Sequence, residues 1–518
     1  MSPKRRLTFI VSASIFVFSA LSLVYGVFLS ATEETAVKGG LWREGMVGQP
    51  ISINPVFPGN DIDRDISALI FADLDEMAEI KAADDNREWT VRLKEGLKWQ
   101  DGEKITSDDI IFTAETIGNP DSRSPLFQSF AGAAASRVSE LEVKFSLPSP
   151  YVFFETTLKK MKIIPKHVFG NIPANNFYLS RYILEPVGSG PYKFISFDKK
   201  NDGFITEYAL VPNDYYFQTA PYIKKIIVRF FSNEKDLVAA YNGNSIDGAI
   251  IDDPENLAGL LLRHRIKPLE APRYFAVFIN QSLAENLKNI DSRRLLNSAI
   301  NREKIVADAF KGFALPINGL LENIPLLPSK KTFDDSSTEL NLSFPSSPTL
   351  EKVAERLKSD WEAVGFKINL APLGTSEILE AIRTRNYELL LFGNNLTDPA
   401  DLYSFWHSSN RFFPGTNLSL YKNERADNLM EKIRSEKDEA RRADFLSSLE
   451  KIINEDAPAL FLYSPDYTYV VSPKLRGFSL DTVVTPDERF NRVENWYVKT
   501  ARKFRSSAEA IEKSADKD

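Results

Sequence analysis

The 518-residue sequence contains no cysteine. That excludes disulfides, thiolate metal centres, cysteine nucleophiles and a lipid-modified N-terminal cysteine. Histidine is almost as scarce: His167, His264 and His407 are the only three, far apart and without a partner at ligand spacing. Each reads as a surface or packed histidine rather than a metal ligand, so neither a metal nor a cofactor is expected. The patterns GxSxG, HExxH and GxxxxGKS/T are missing, and Gly188-Ser189-Gly190 lacks the third glycine of a dinucleotide loop. Positive charge is in deficit, with a net charge of −7 and no basic stripe interleaved with aromatics, which argues against a nucleic-acid partner. The 71 Asp and Glu residues leave a carboxylate-dependent hydrolase open as an alternative, although most of them must simply solvate the surface.

What is present describes an exported globular body. Hydrophobic residues at 43% and charged residues at 26% suit a soluble core, and the length calls for two or three lobes. Lys4, Arg5 and Arg6 precede Leu7–Leu29, 23 residues without a charge. As a helix this run spans roughly 30 Å, the hydrocarbon thickness of a bilayer. It exceeds a signal-peptide core and predicts an uncleaved single-pass anchor with the body on the extracytoplasmic side; cleavage near Ala31 is the competing reading.

Along the chain, residues 31–40 read as a polar linker. Phe194–Phe197, Phe204–Leu210 and Ile226–Phe231 read as strands, Asn233–Asn242 as a short helix and Ile246–Ile251 as a buried strand. Tyr274–Asn280 is a predicted strand, and Ser292–Phe310 lays Leu296, Ile300, Ile305 and Phe310 along one apolar face. Thr349 is the expected cap of a helix through Val353, Leu357 and Trp361. Phe366–Ala371, Ser376–Arg385 and Tyr387–Gly393 form a strand-helix-strand unit, which predicts a parallel pair with a helical crossover. Two helices near Glu424–Arg434 and Asp438–Asn454 precede the strand Ala459–Tyr463, and the charged tail 501–518 is expected to fray.

The stretch Leu97–Ile117, LKWQDGEKITSDDIIFTAETI, combines a strand exit, an Asp101-Gly102 turn and a helix start in which Thr106 stands three residues before Asp109. Aromatics beside amides and acids at strand ends form a second pattern: Tyr274, the segment Asn394–Trp406 and Tyr463 could line a cleft for a polar ligand. Packing into the core is the alternative for Trp406.

The first pattern resembles the signature of extracellular solute-binding proteins of family 5, the peptide- and nickel-binding class. Further landmarks follow in order: Ile51–Pro55 resembles an early "LNP", and Val187–Tyr192 (VGSGPY) a "GTGPY" turn with Ser189 for Thr. Asn213–Tyr216 with Ala220–Tyr222 resembles "NxxY…P", Tyr241–Asp247 "GxxD", and Asp291–Val306 "VRxALxxAIDR" with Asn301 for Asp. Thr397-Asp398-Pro399 matches an acidic "DP" loop. The resemblance runs from about residue 50 to 480. It implies a two-lobed α/β fold of the periplasmic-binding-protein type II, in its large class with an extra subdomain. Lobe I would comprise 32–62, 186–267 and 471–500, the inserted subdomain 63–185, and lobe II 268–470.

By the same resemblance the protein is a monomeric substrate-binding component of an ABC transporter. It would hold a peptide-like ligand between its lobes and deliver it to a permease and its ATPase, with an oligosaccharide or metal chelate as alternative ligands. In peptide-binding members an Asp four residues before the "DP" proline pairs with the ligand's α-amino group; that position is Asn395 here, which carries no charge. Asp398 or Asp401 could serve instead. The expected ligand-binding set is Asn394, Asn395, Asp398, Trp406, Tyr274 and Tyr463.

Overall fold

In a computed structural model, residues 3–122, 124–130, 132–320, 327, 338–396 and 398–505 are described, with side chains from Phe9 onward. Thr397 of the acidic loop lies outside them. The helix Pro3–Ala31 comes first, and its segment Phe9–Ala31 is long and apolar enough to cross a membrane while burying nothing against the body.

Two large sheets follow. The first has seven strands, in the order Arg265–Leu269, Tyr467–Val471, Gly248–Ile250, Leu41–Val47, Lys225–Phe231, Ile205–Pro212 and Tyr192–Lys199. Its centre is parallel, because Leu41–Val47 runs alongside both Gly248–Ile250 and Lys225–Phe231. The second has six strands, ordered Ala314–Pro316, Ala459–Pro465, Arg273–Ile279, Leu389–Asn395, Glu339–Pro345 and Lys367–Leu373. Here Glu339–Pro345 is parallel to both Lys367–Leu373 and Leu389–Asn395, so the expected helical crossover exists but passes over an intervening strand. Among the described residues the chain crosses between the two large sheets over residues 270–272 and through the single residue Asp466. Tyr467–Val471, which straddles the expected boundary at residue 470, pairs into the first sheet.

A third sheet of four antiparallel strands, Ala78–Ala82, Glu88–Leu93, Glu142–Ser146 and Ala134–Ser139, carries the helix Ser107–Gly118. That helix starts with the expected capping box: Thr106 N–H donates to Asp109 Oδ2 at 2.9 Å. The Trp-Gln-Asp-Gly turn before it works as a bracket. Gln100 Nε2 donates to Tyr192 O at 2.6 Å, and its Oε1 accepts from Gly188 N–H at 3.1 Å. Two motifs 90 residues apart in sequence thus close on one another. Glycine is required there, since a Cβ on Gly188 would stand 2.2 Å from Ile70 O. Beneath lies an ion cluster with almost no solvent exposure: Arg489 donates to both oxygens of Asp65 at 2.8 Å and to Glu44 Oε1 at 3.2 Å.

Several local expectations are corrected. The apolar face over Ser292–Phe310 belongs to three pieces, Ile290–Ala299, Arg302–Ile305 and a π-helical turn Val306–Phe310. Ile300 is extended, and the Asn301 side chain caps the restart by accepting from Lys304 N–H. Ser347, with Pro348 in the first turn, caps Pro348–Glu362 in place of Thr349. The linker and tail are ordered where they meet: Thr32–Ala36 pairs antiparallel with Thr500–Phe504 as a separate two-stranded ribbon.

Candidate functional site

A cavity of 1190 Å³ opens between the two large sheets. The carboxyl ends of their parallel strands converge on it, the position where α/β sheets place ligands. From the first sheet, Val47 ends one strand, Asn233 follows Lys225–Phe231, and Asp252 follows Gly248–Ile250; from the second, Ser347 follows Glu339–Pro345, and Asn395 ends Leu389–Asn395. The helices Asp61–Ile70, Glu234–Asn242, Pro254–Leu257 and Pro348–Glu362 begin at the cavity. The side chains of Asn60, Asn233, Asp253 and Ser347 cap them by accepting from first-turn N–H groups, and their positive dipole ends favour negative groups nearby.

Side-chain parity decides which residues of the second sheet reach the cavity. In Arg273–Ile279, odd positions face the cavity and the core behind it, whereas even positions enter a separate core with Leu390, Phe461 and Trp406. Arg273 is opposite Asn395 in register, and Tyr274 opposite Asn394. Arg273, Phe275, Asn395 and Tyr463 consequently line the cavity. Phe275 stacks on Tyr463 with centroids 5.1 Å apart, and the buried Tyr463 hydroxyl has no hydrogen-bond partner among the described residues.

The predicted set therefore divides. Asn395 and Tyr463 line the cavity; Tyr274, Asn394, Trp406 and Asp398 do not. Tyr274 and Trp406 are buried on the far face, and Asn394 Nδ2 donates to the Tyr274 hydroxyl at 2.9 Å. Asp398 Oδ1 accepts from Ala400 N–H in its own loop. Asp401 accepts from the Tyr151 hydroxyl at 2.6 Å and pairs with Arg434 at 3.2 Å, which docks the loop onto the segment preceding Phe154. A one-residue step along each strand exchanges a cleft position for a core position.

The residues that sequence reasoning missed come from the two crossings and the first sheet. Arg273 Nε donates to Pro465 O at 2.6 Å and its Nη2 to Asp466 O at 2.9 Å, so one side chain ties both crossings together. Its guanidinium lies 3.5 Å from the Tyr467 ring centroid, and the Tyr467 hydroxyl accepts from Asn395 Nδ2 at 3.4 Å. Asp61 and Asp252 line the same cavity from the first sheet's side. Glu234 spends its oxygens on Asp252 N–H at 2.7 Å and Asn256 Nδ2 at 2.7 Å. The surrounding walls raise the Asp252 carboxyl above its usual range although the residue remains open to solvent, with Arg273 opposing that shift and Asp61 adding to it. Burial likewise raises Asp466, and pushes Asp65 up to about 7 despite its bonds to Arg489. Near the rim, Glu255 pairs with Lys352 at 2.7 Å and joins the two sides. No group of three or more His, Asp or Glu side chains is placed to hold a metal among the described residues.

The family model described as bacterial extracellular solute-binding proteins, family 5 Middle, matches residues 75–334, half of the chain. The oligopeptide-binding protein AppA of Bacillus subtilis is 24% identical over 570 residues, covering 96% of this chain and 99% of that protein. Its structure in complex with a nonapeptide superposes with a TM-score of 0.76 at 22% identity, covering 90% of this chain and 100% of that chain. The ABC transporter substrate-binding protein CtaP of Listeria monocytogenes gives a TM-score of 0.78 at 24% identity, over 89% and 100%. The fold is the two-lobed one of periplasmic binding proteins, and the chain belongs to the bacterial extracellular solute-binding proteins of family 5.

Proposed function

We propose that this protein is the substrate-binding component of an ABC importer and that its ligand is an extended, polar, peptide-like molecule. The cavity carries the reading: at 1190 Å³ it exceeds the range of about 300–1000 Å³ usual for one small molecule, so it has room for several residues. Its walls combine Phe275 and Phe310 with opposed charges, Arg273 on one side and Asp61 and Asp252 on the other. A ligand bearing both an ammonium and a carboxylate answers that arrangement. Asn395 supplies hydrogen bonds without charge, so the ammonium is assigned to Asp252 and Asp61 rather than to the acidic loop.

The lobes are read as bodies built on the two large sheets, the four-stranded sheet being the inserted subdomain. Their relative motion would centre on residues 270–272 and Asp466. A ligand that touches both walls only when they approach shifts the equilibrium to the closed form by its differential affinity. The closed monomer would then engage a permease and its ATPase. The apolar N-terminal helix would keep the body on the extracytoplasmic face of the membrane as a single-pass anchor.

Mass spectrometry of the small molecules released on denaturing the purified protein tests this function. Peptides recovered intact, which raise the melting temperature in a concentration-dependent way when added back, are expected. Cleavage products without thermal stabilisation would overturn the binder in favour of a hydrolase.

A further inference from the structure

We propose that the ribbon formed by Thr32–Ala36 and Thr500–Phe504 is a foot that rests on the headgroups of an acidic phospholipid bilayer; this rests on reading Phe9–Ala31 as a membrane anchor. The ribbon begins where that helix ends, with no residue between Ala31 and Thr32. It is bolted to the last helical turn: Thr32 Oγ1 donates to Phe28 O at 2.6 Å, and Arg505 N–H to Ala31 O at 3.0 Å. All of Thr500–Phe504 is exposed. An isolated two-stranded ribbon is marginal in water, so an ordered one needs a surface to lie against.

Its chemistry selects that surface. Phe504 leaves 70% of its area uncovered while meeting Phe28 edge-on at 6.3 Å, and Tyr25 is exposed one helical turn further back. Aromatic rings at the exit of an apolar helix belong in a membrane interface. Arg502, Lys503 and Arg505 supply cations on flexible stems, and the Arg502 guanidinium already leans back to 5.9 Å from the Phe28 ring. Glu33 and Glu34 stand opposite Lys503 and Arg502 in the register, yet no ion pair within 4 Å joins either couple, leaving the cations able to reach lipid phosphates. The foot continues into the body through Val37 N–H, which donates to Lys499 O at 3.1 Å. Two paired strands, not one free linker, would therefore hold the body at a set height and orientation above the bilayer.

The absence of cysteine makes the test clean, because each introduced thiol is unique. Full-length Phe504→Cys and Thr500→Cys, each carrying an environment-sensitive fluorophore, are reconstituted into vesicles of phosphatidylcholine alone or mixed equally with phosphatidylglycerol. The two sites stand about 13 Å apart along the strand. The label at 504 is expected to be quenched several-fold more strongly by a lipid-borne quencher than the label at 500, most of all in the acidic vesicles. Adding Arg502→Gln, Lys503→Gln and Arg505→Gln should abolish that dependence on lipid charge. Equal, weak quenching at both sites in a chain that resists alkaline carbonate extraction would overturn the foot. A mature chain starting at Thr32 and released by carbonate would instead overturn the anchor, and the foot with it.

Discussion

Arg273 and Tyr274 are neighbours on one strand, yet they belong to different parts of the molecule. Arg273 reaches the cleft, ties together the two chain crossings and lies on Tyr467, whereas Tyr274 is sealed in a core with Phe461 and a hydrogen bond to Asn394. The same split separates Asn395 from Asn394 on the paired strand. Both faces carry aromatic and amide groups of the kind that binding sites use. What distinguishes them is access: on the far face Asn394 Nδ2 donates to the Tyr274 hydroxyl and Trp406 is sealed among aromatic rings, while on the cleft face Arg273, Asp252 and the Tyr463 hydroxyl line the cavity where a ligand can reach them. Function here follows access to the cleft rather than residue type.

The comparison breaks most readily at buried positions. Trp406→Ala on the far face should cost about 3–5 kcal/mol of stability by leaving a cavity, as thermal or denaturant unfolding would register, with ligand affinity of the folded fraction preserved. On the opposite wall Arg489→Met should cost a comparable 3–5 kcal/mol, because Glu44 and Asp65 would be left buried without their cation. A smaller effect should appear as a pH slope. Asp65 binds its proton more tightly when folded, with a pKa of about 7 against roughly 4 in the unfolded chain. Its contribution to stability is therefore fullest below about pH 4 and declines as pH rises to about 7. Asp65 shares that window with Glu76, which is also raised to about 7, so the fall of melting temperature with pH should be shallower in Asp65→Asn than in the natural protein; an identical slope in the variant would show that Asp65 does not contribute to it.

Weaker still, and confined to binding, is the expected effect of Asn395→Asp. If the ligand brings a free ammonium near this strand end, the new carboxylate should tighten binding by about 1 kcal/mol in titration calorimetry. Unchanged affinity in both Asn395→Asp and Asn395→Ala would remove this residue from the contact set.

Much of this architecture was legible in the sequence because its signals are local. The Thr106–Asp109 capping box, the Gly102 turn and the strands at Ile226 and Ala459 were each written in a few adjacent residues. The site was legible only in half. Sequence places Tyr274, Asn394 and Asn395 at strand ends, but the face each side chain takes depends on a register set by partners more than a hundred residues away. Arg273 carried no motif, since its role arises from the carbonyls of Pro465 and Asp466. The pairing of the presumed linker with the presumed frayed tail was invisible for the same reason: Glu33-Glu34 and Arg502-Lys503 look like solvated charges until their strands are aligned.

The division between faces is tested most directly by titration calorimetry of the co-purified ligand into the natural protein, Arg273→Gln and Tyr274→Phe. The account predicts that Arg273→Gln weakens binding by about 1–3 kcal/mol, while Tyr274→Phe binds as the natural protein does and loses only stability. Full affinity in Arg273→Gln together with a comparable loss in Tyr274→Phe would place the ligand on the other face and contradict it.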